Sequence, residues 1–396
     1  MKKVLRFILL VLIFVTFDVK ALELDIKANN ALLYNLDSGE VLYEKESESR
    51  VQIASLTKIM TAVVTLDEVQ DLDKQVIITY DDLKGLNELN LVTAGFTAYE
   101  AVTYRDLLYG LLLPSGADAA MALSRNISGS EEEFIKLMNE KVKELGLKNT
   151  NFAGVIGLDD ENNYSTAKDI SKLFKKALDI NDFKTIITSK EYTTSDGKLT
   201  FKSTIQNNAK RYNIDVPYIL GGKTGTTDGA GLCLASIANA NEVNYLLVTL
   251  GSPYDKKGPH HIEDAKVIYD YFIDNFSNKK IVDKKVKYKS LKTKYLEEDK
   301  IDLYPNEDII KYVPNDYKED DIKYEYEGID EVSIFSPKKL GMLKIYYKDE
   351  LLKKEDVILK VKTHFSLIKF LKGNIVWFIS GFVLVFVIIF ILKRKK

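Results

Sequence analysis

The segment from Ile375 to Leu392, IVWFISGFVLVFVIIFIL, carries no charged residue and runs straight into Lys393, Arg394, Lys395 and Lys396. An apolar run of roughly 18 residues is long enough to cross a bilayer as a helix. A buried core helix is the competing form, but a run at the chain's end, closed by a basic cluster, argues for a single membrane span. Such a cluster is retained on the cytoplasmic side. At the other end Lys2, Lys3 and Arg6 precede an apolar stretch from Phe7 to Phe17, and then Val19, Lys20 and Ala21. That is the layout of a secretory signal peptide cleaved after Ala21, an uncleaved anchor being the alternative. Everything between Ala21 and Asn374 is therefore expected outside the cell membrane.

Within those limits the chain is long enough, at 396 residues, for two or three domains. A net charge of −2 gives no sign of a nucleic-acid partner. The single cysteine, Cys233, excludes an internal disulfide. With three histidines, His260, His261 and His364, no metal-ligand spacing appears.

The stretch ALLYNLDSGEVLYEKE alternates around an Asp37-Ser38-Gly39-Glu40 turn and predicts a β-hairpin. From Ser55 to about Asp182 the pattern is mostly helical, and SEEEFIKLMNEKVKELG closes on Gly146 as a helix C-cap. GLCLASIANA and NEVNYLLVTLG predict two strands joined at an Asn-rich turn, and HIEDAKVIYDYFIDNF a closing amphipathic helix. Strands at both ends of a helical region imply an α+β domain, its antiparallel sheet closed by the two termini. From Ser277 the texture changes to short runs of alternating charged and apolar residues, expected to form a small β domain that holds the first domain off the membrane. The expected division is a signal peptide at 1–21, a catalytic domain at 22–276, the β domain at 277–370, the span at 375–392 and a basic tail at 393–396.

Three short stretches carry the chemistry. IASLTKIMTAVV places Ser55 and Lys58 one helical turn apart, where hydroxyl and amine can meet. Taken alone, Ser55 could be a helix cap and Lys58 a snorkelling surface lysine. LLPSGADAAMAL places Ser115 at the start of a helix, and GGKTGTT places Lys223, Thr224 and Gly225 at the start of a strand, where Gly225 would let a ligand approach the backbone. In this order S-x-x-K, an S-x-N-type triplet and K-T-G form the signature of class A β-lactamases and penicillin-binding proteins.

Over residues 24 to 275 the chain resembles the D-alanyl-D-alanine carboxypeptidases, low-molecular-mass penicillin-binding proteins of serine peptidase family S11. The resemblance rests on YNLDSGEVLYEKE, ASLTKIMTA, LLYGLLLPSGADAAMALS, FIKLMNEKVKELGLKNTNFAGVIGLDD, YSTAKD and GGKTGTT. It implies a serine β-lactamase/penicillin-binding-protein-like fold, β-lactams as acylating inhibitors, and removal of the terminal D-alanine from peptidoglycan stem pentapeptides. No cofactor and no metal are implied. By resemblance Ser55 is the nucleophile, Lys58 the base that takes its proton, and Ser115 the relay to the leaving D-alanine. Lys223 and Thr224, with Gly225 and Thr226 in the same stretch, would hold the substrate's terminal carboxylate. The backbone N–H groups of Ser55 and Thr226 would form the oxyanion hole. A serine hydroxyl needs an adjacent base, and Lys58 can act as one near neutral pH only if its pKa falls from about 10.4 to near 7. Burial in its apolar surroundings could do that, as could a second cation, Lys223.

Two positions depart from the family pattern. Ala117 stands where the middle triplet usually has Asn, and Ile156 where relatives often have His before Gly-Leu. Asp118 follows Ala117 but belongs to the next position and is not expected to substitute. The departure at Ala117 leaves two alternatives open: impaired catalysis, or a wall-binding scaffold with a weak site. A β-lactamase is disfavoured, because class A enzymes need a deacylating glutamate, and no E-x-x-x-N segment lies between the second and third motifs.

Overall fold

The computed structural model describes residues 22–255 and 257–394. The expected signal peptide, and Lys395 and Lys396 of the tail, lie outside the described residues. The chain divides into two compact units between Asp274 and Asn275.

The first unit is built on a five-stranded antiparallel sheet. Asn30–Asn35 (β1) and Val41–Lys45 (β2) form the expected hairpin, and the remaining strands are Ile219–Thr227 (β3), Gly231–Ala240 (β4) and Val243–Ser252 (β5). The strand order is β2-β1-β5-β4-β3. The first strand therefore pairs with the last, Leu33 opposite Leu247, and the two ends of the unit close one sheet. β4 and β5 each carry long unbroken buried runs because helices pack on both faces. Strands covered on both sides lose the apolar–polar alternation and become continuously apolar.

The helical region lies between β2 and β3. It contains Thr57–Glu68 (α1), Tyr104–Leu112 (α2), Ala117–Ser128 (α3), Glu131–Glu144 (α4), Ala167–Ala177 (α5) and Thr204–Tyr212 (α6). α1 is buried without interruption from Thr57 to Thr65. A helix apolar on every side belongs in a core, and α1 accordingly sits in the middle of the main hydrophobic cluster with Ile59, Met60 and Val63. That placement carries Lys58 into the protein interior. The helix ends follow the local chemistry. Ser130 accepts a hydrogen bond from the Glu133 N–H to cap α4, and Gly146 follows its C-terminus at φ +62. His260–Asn275 (α7) closes the unit, and its Tyr269 hydroxyl meets Ser236 of β4.

The second unit is a set of short strands around Val282, Leu291, Val313, Leu343 and Ile345. Its largest sheet pairs Lys339–Tyr347 with both Ile322–Gly328 and Glu350–Ile358. It ends in Ile375–Arg394 (α8), a 20-residue helix with no buried residue, long and apolar enough to cross a membrane.

Candidate active site

Ser55 lies in a single 3₁₀ turn, Ala54–Leu56, that leads into α1. Ala54 holds φ +49, a left-handed conformation uncommon outside glycine. The α1 N-cap is Leu56 and makes no side-chain cap, so Ser55 is neither a cap nor a residue of the α-helix proper. The i,i+3 relation nevertheless brings the two groups together, and Lys58 Nζ donates to Ser55 Oγ at 2.9 Å. Lys58 is 1 % exposed. Burial pushes its amine down to about 7, against the opposing charge of Asp118.

A second contact holds Lys58. Its Nζ donates to the backbone carbonyl of Ile156 at 2.7 Å, and one turn further along α1 the Thr61 hydroxyl donates to the carbonyl of Val155 at 2.9 Å. The strap 155–157 is thus docked on α1 by two successive carbonyls. Gly157 makes this possible at φ +90: a Cβ there would stand 2.1 Å from the Ala54 carbonyl oxygen. No side chain fits between the strap and the turn that presents Ser55. The side chain at 156 was the departure read in the sequence, but its backbone oxygen is what meets Lys58.

Ser115 sits two residues before α3 at φ +72 and does not cap it; the cap position is Gly116. The Ser115 hydroxyl accepts from Lys223 Nζ at 2.8 Å, and Lys223 also donates to the Thr224 carbonyl at 2.6 Å. Lys223 is 0 % exposed, and burial, followed by the charge of Lys58, holds its amine well below the usual lysine range. The motif K-T-G lies in the middle of β3 rather than at its start. Gly225 serves protein packing there, since its Cβ would approach Ser55 N to 3.0 Å and Ile53 O to 3.1 Å. The glycine lets β3 close against the turn that bears the serine, and it also lines the cleft.

Asp118 is buried and accepts hydrogen bonds from the N–H groups of Ala94, Gly95, Phe96 and Ala119. Its carboxylate is spent on the loop that packs over α3, so it does not stand in for a carboxamide at 117.

One cleft of about 290 Å³ gathers these groups. Ser55, Lys58, Ser115, Ala117, Thr224, Gly225 and Thr226 line it, while Lys223 lies behind Ser115 and Thr224 and is absent from the lining. Asn90, Thr204 and Asn208 also line the cleft and have no motif around them that a single sequence could reveal. They come from a loop and from α6, placed by tertiary packing alone. Thr204 Oγ1 lies 2.8 Å from Thr224 Oγ1 and ties α6 to the K-T-G strand.

A serine hydroxyl facing a buried amine whose pKa is pushed down to about 7, at the edge of a cleft in an α+β domain, defines an active-site-serine enzyme of the acyl-transfer class. The profile of the D-alanyl-D-alanine carboxypeptidase family, peptidase S11, matches residues 17–254, and the chain belongs to that family. It is 30% identical over 381 residues to D-alanyl-D-alanine carboxypeptidase DacF of Bacillus subtilis, covering 91% of this chain and 94% of that protein. DacC of Escherichia coli is 33% identical over 57% of this chain and 56% of its own length. The crystal structure of a Streptomyces DD-transpeptidase is similar with a TM-score of 0.57 at 31% identity, covering 63% of this chain and 98% of that one. Penicillin binding protein 5 from Haemophilus influenzae reaches a TM-score of 0.62 at 25% identity over 87% and 99%. The penicillin-binding-protein-like fold expected from the sequence is the fold found.

Proposed function

We propose that the protein is a serine-type D-Ala-D-Ala carboxypeptidase that removes the terminal D-alanine from peptidoglycan stem pentapeptides and is acylated by β-lactams. The hydrogen bond from buried Lys58 to Ser55 is the observation that carries this reading. Ser55 Oγ attacks the carbonyl carbon of the penultimate D-alanine and its proton passes to Lys58 Nζ. As the tetrahedral intermediate collapses, the C–N bond breaks and Ser115 relays a proton to the departing D-alanine amine. Water then attacks the Ser55 ester and releases the shortened peptide. The N–H groups of Ser55 and Thr226 are assigned to the oxyanion. Lys223 acts from behind, orienting Ser115 and the Thr224 carbonyl. The cleft lining contains no carboxylate, which speaks against a β-lactamase that deacylates through glutamate. A fluorescent-penicillin gel tests the proposal: a band at the protein's mass is expected, and its absence in folded protein refutes acylation at Ser55.

Ala117 favours the second reading, a wall-binding scaffold with a weak site. The base, relay and K-T-G strand are all in place around it, so acylation is expected to be lowered rather than lost. Ala117→Asn should raise the second-order rate of penicillin acylation roughly tenfold to several hundredfold if one transition-state hydrogen bond returns. An unchanged rate in a variant of equal melting temperature would mean that another group has taken over the task. A wild-type protein without detectable acylation would support the scaffold.

We assign the catalytic and β domains to the outer side of the cell membrane, with α8 as the span and the basic tail in the cytoplasm. The motive is the cluster from Lys393 onward. Protease added to intact, wall-stripped cells should digest the catalytic domain, and complete protection would overturn the orientation.

A further inference from the structure

The wall of the cleft on the β3 side is uncharged. Thr204, Asn208, Thr224, Thr226 and Thr227 line it, and Lys223, the nearest cation in that strand, has no exposed surface and gives its hydrogen bonds to Ser115 and Thr224. A carboxylate is an acceptor only and has to be met by donors. On this wall those donors are hydroxyls and one carboxamide.

Asn208 follows Thr204 by four residues in α6, so the two share a helix face. Thr204 already touches Thr224, the motif residue to which the family resemblance gives the substrate's terminal carboxylate. Asn208 is half-buried and lines the cleft one turn further along. Among the described residues its carboxamide makes no hydrogen bond, whereas half-buried Asn126, Asn139 and Asn151 donate to backbone carbonyls and Asn149 accepts from Arg50. An amide on the wall of an active site with its NH₂ unspent is placed to meet a ligand.

We propose that Asn208 is a specificity-determining residue that binds the substrate's terminal carboxylate through its amide N–H, together with the Thr204–Thr224 hydroxyl pair. The inference rests on the carboxypeptidase reading above and adds to it the way in which a free C-terminus is selected. Recognition here is by neutral donors, so introducing negative charge at 208 is repulsive and introducing positive charge is attractive.

The test compares two peptides on the same protein: a D-Ala-D-Ala pentapeptide with a free C-terminal carboxylate, and the same peptide ending in an amide. The quantity read is the ratio of their kcat/KM values, in which any loss of folded protein cancels. Asn208→Ala should lower that preference roughly tenfold, the effect of losing one hydrogen bond to a charged group. Asn208→Asp should lower it further, and Asn208→Lys should restore or exceed the wild-type ratio. Variants that depress both peptides equally would overturn the proposal and leave Asn208 a packing residue. So would an Asn208→Asp variant with an unchanged ratio. If the wild-type protein turns over neither peptide and is not acylated by penicillin, the carboxypeptidase reading fails first and takes this inference with it.

Discussion

Ser55→Ala is expected to abolish covalent penicillin labelling and to lower D-alanine release by roughly 10⁴- to 10⁶-fold, the scale seen when a serine nucleophile is removed. The hydroxyl makes a hydrogen bond with Lys58 and caps no helix, so the change removes a reacting atom and little structure. The fold should persist, with a melting temperature close to that of the parent. The site around it is held by other groups: the strap carbonyls on Lys58 and Thr61, Gly225 against the turn, and Lys223 on Ser115. Intact-protein mass spectrometry after exposure to penicillin reads the outcome directly. A Ser55→Ala protein that still gains the mass of one penicillin would place the nucleophile elsewhere.

Lys58→Met should cost 10²- to 10⁴-fold in acylation, the usual contribution of a positioned general base. It should also change the pH profile. Below pH 7 the wild-type amine is increasingly protonated and unable to accept the Ser55 proton, because burial holds its pKa at about 7. Acylation should therefore fall about tenfold for each pH unit below that point and level off above it, while the Met variant shows no such limb. The stability effect has the opposite sign. An amine with a depressed folded-state pKa binds its proton more tightly in the unfolded chain, so it penalises the fold most below pH 7. The penalty fades as pH rises toward 10.5. At its largest it is on the order of 5 kcal/mol. Lys58→Met should thus melt higher than wild type at pH 6.5, the gain shrinking in alkaline buffer. A lower melting temperature at every pH would mean that Lys58 is a stabilising charge and not a buried base.

The three motifs could be read from the chain because each is local. Ser55 and Lys58 are three residues apart, Ser115 follows Pro114, and Lys223 to Thr226 form one run, so spacing and residue type reveal them without a fold. The hairpin, the uncharged C-terminal run and the capped helices are legible for the same reason, since turns, caps and apolar periods are properties of short segments. What depends on distant segments closing together was not. That the two ends close one sheet follows from strands flanking the helical region, but the register that sets Leu33 opposite Leu247 does not. The Ile156 carbonyl reaches Lys58 from 98 residues away, and a backbone oxygen has no sequence signature. The close approach of Gly225 to the Ser55 turn, beside its place in the cleft lining, exists only once β3 is packed there. That Lys223 is buried and spends hydrogen bonds on Ser115 and Thr224 has no signature in the K-T-G run. Asn90 and Asn208 become cleft residues only once a loop docks on α3 and α6 docks on β3. Residue chemistry and short-range spacing determined which groups could react; long-range packing decided which of them meet, because burial and a contact between distant segments exist only in the closed fold.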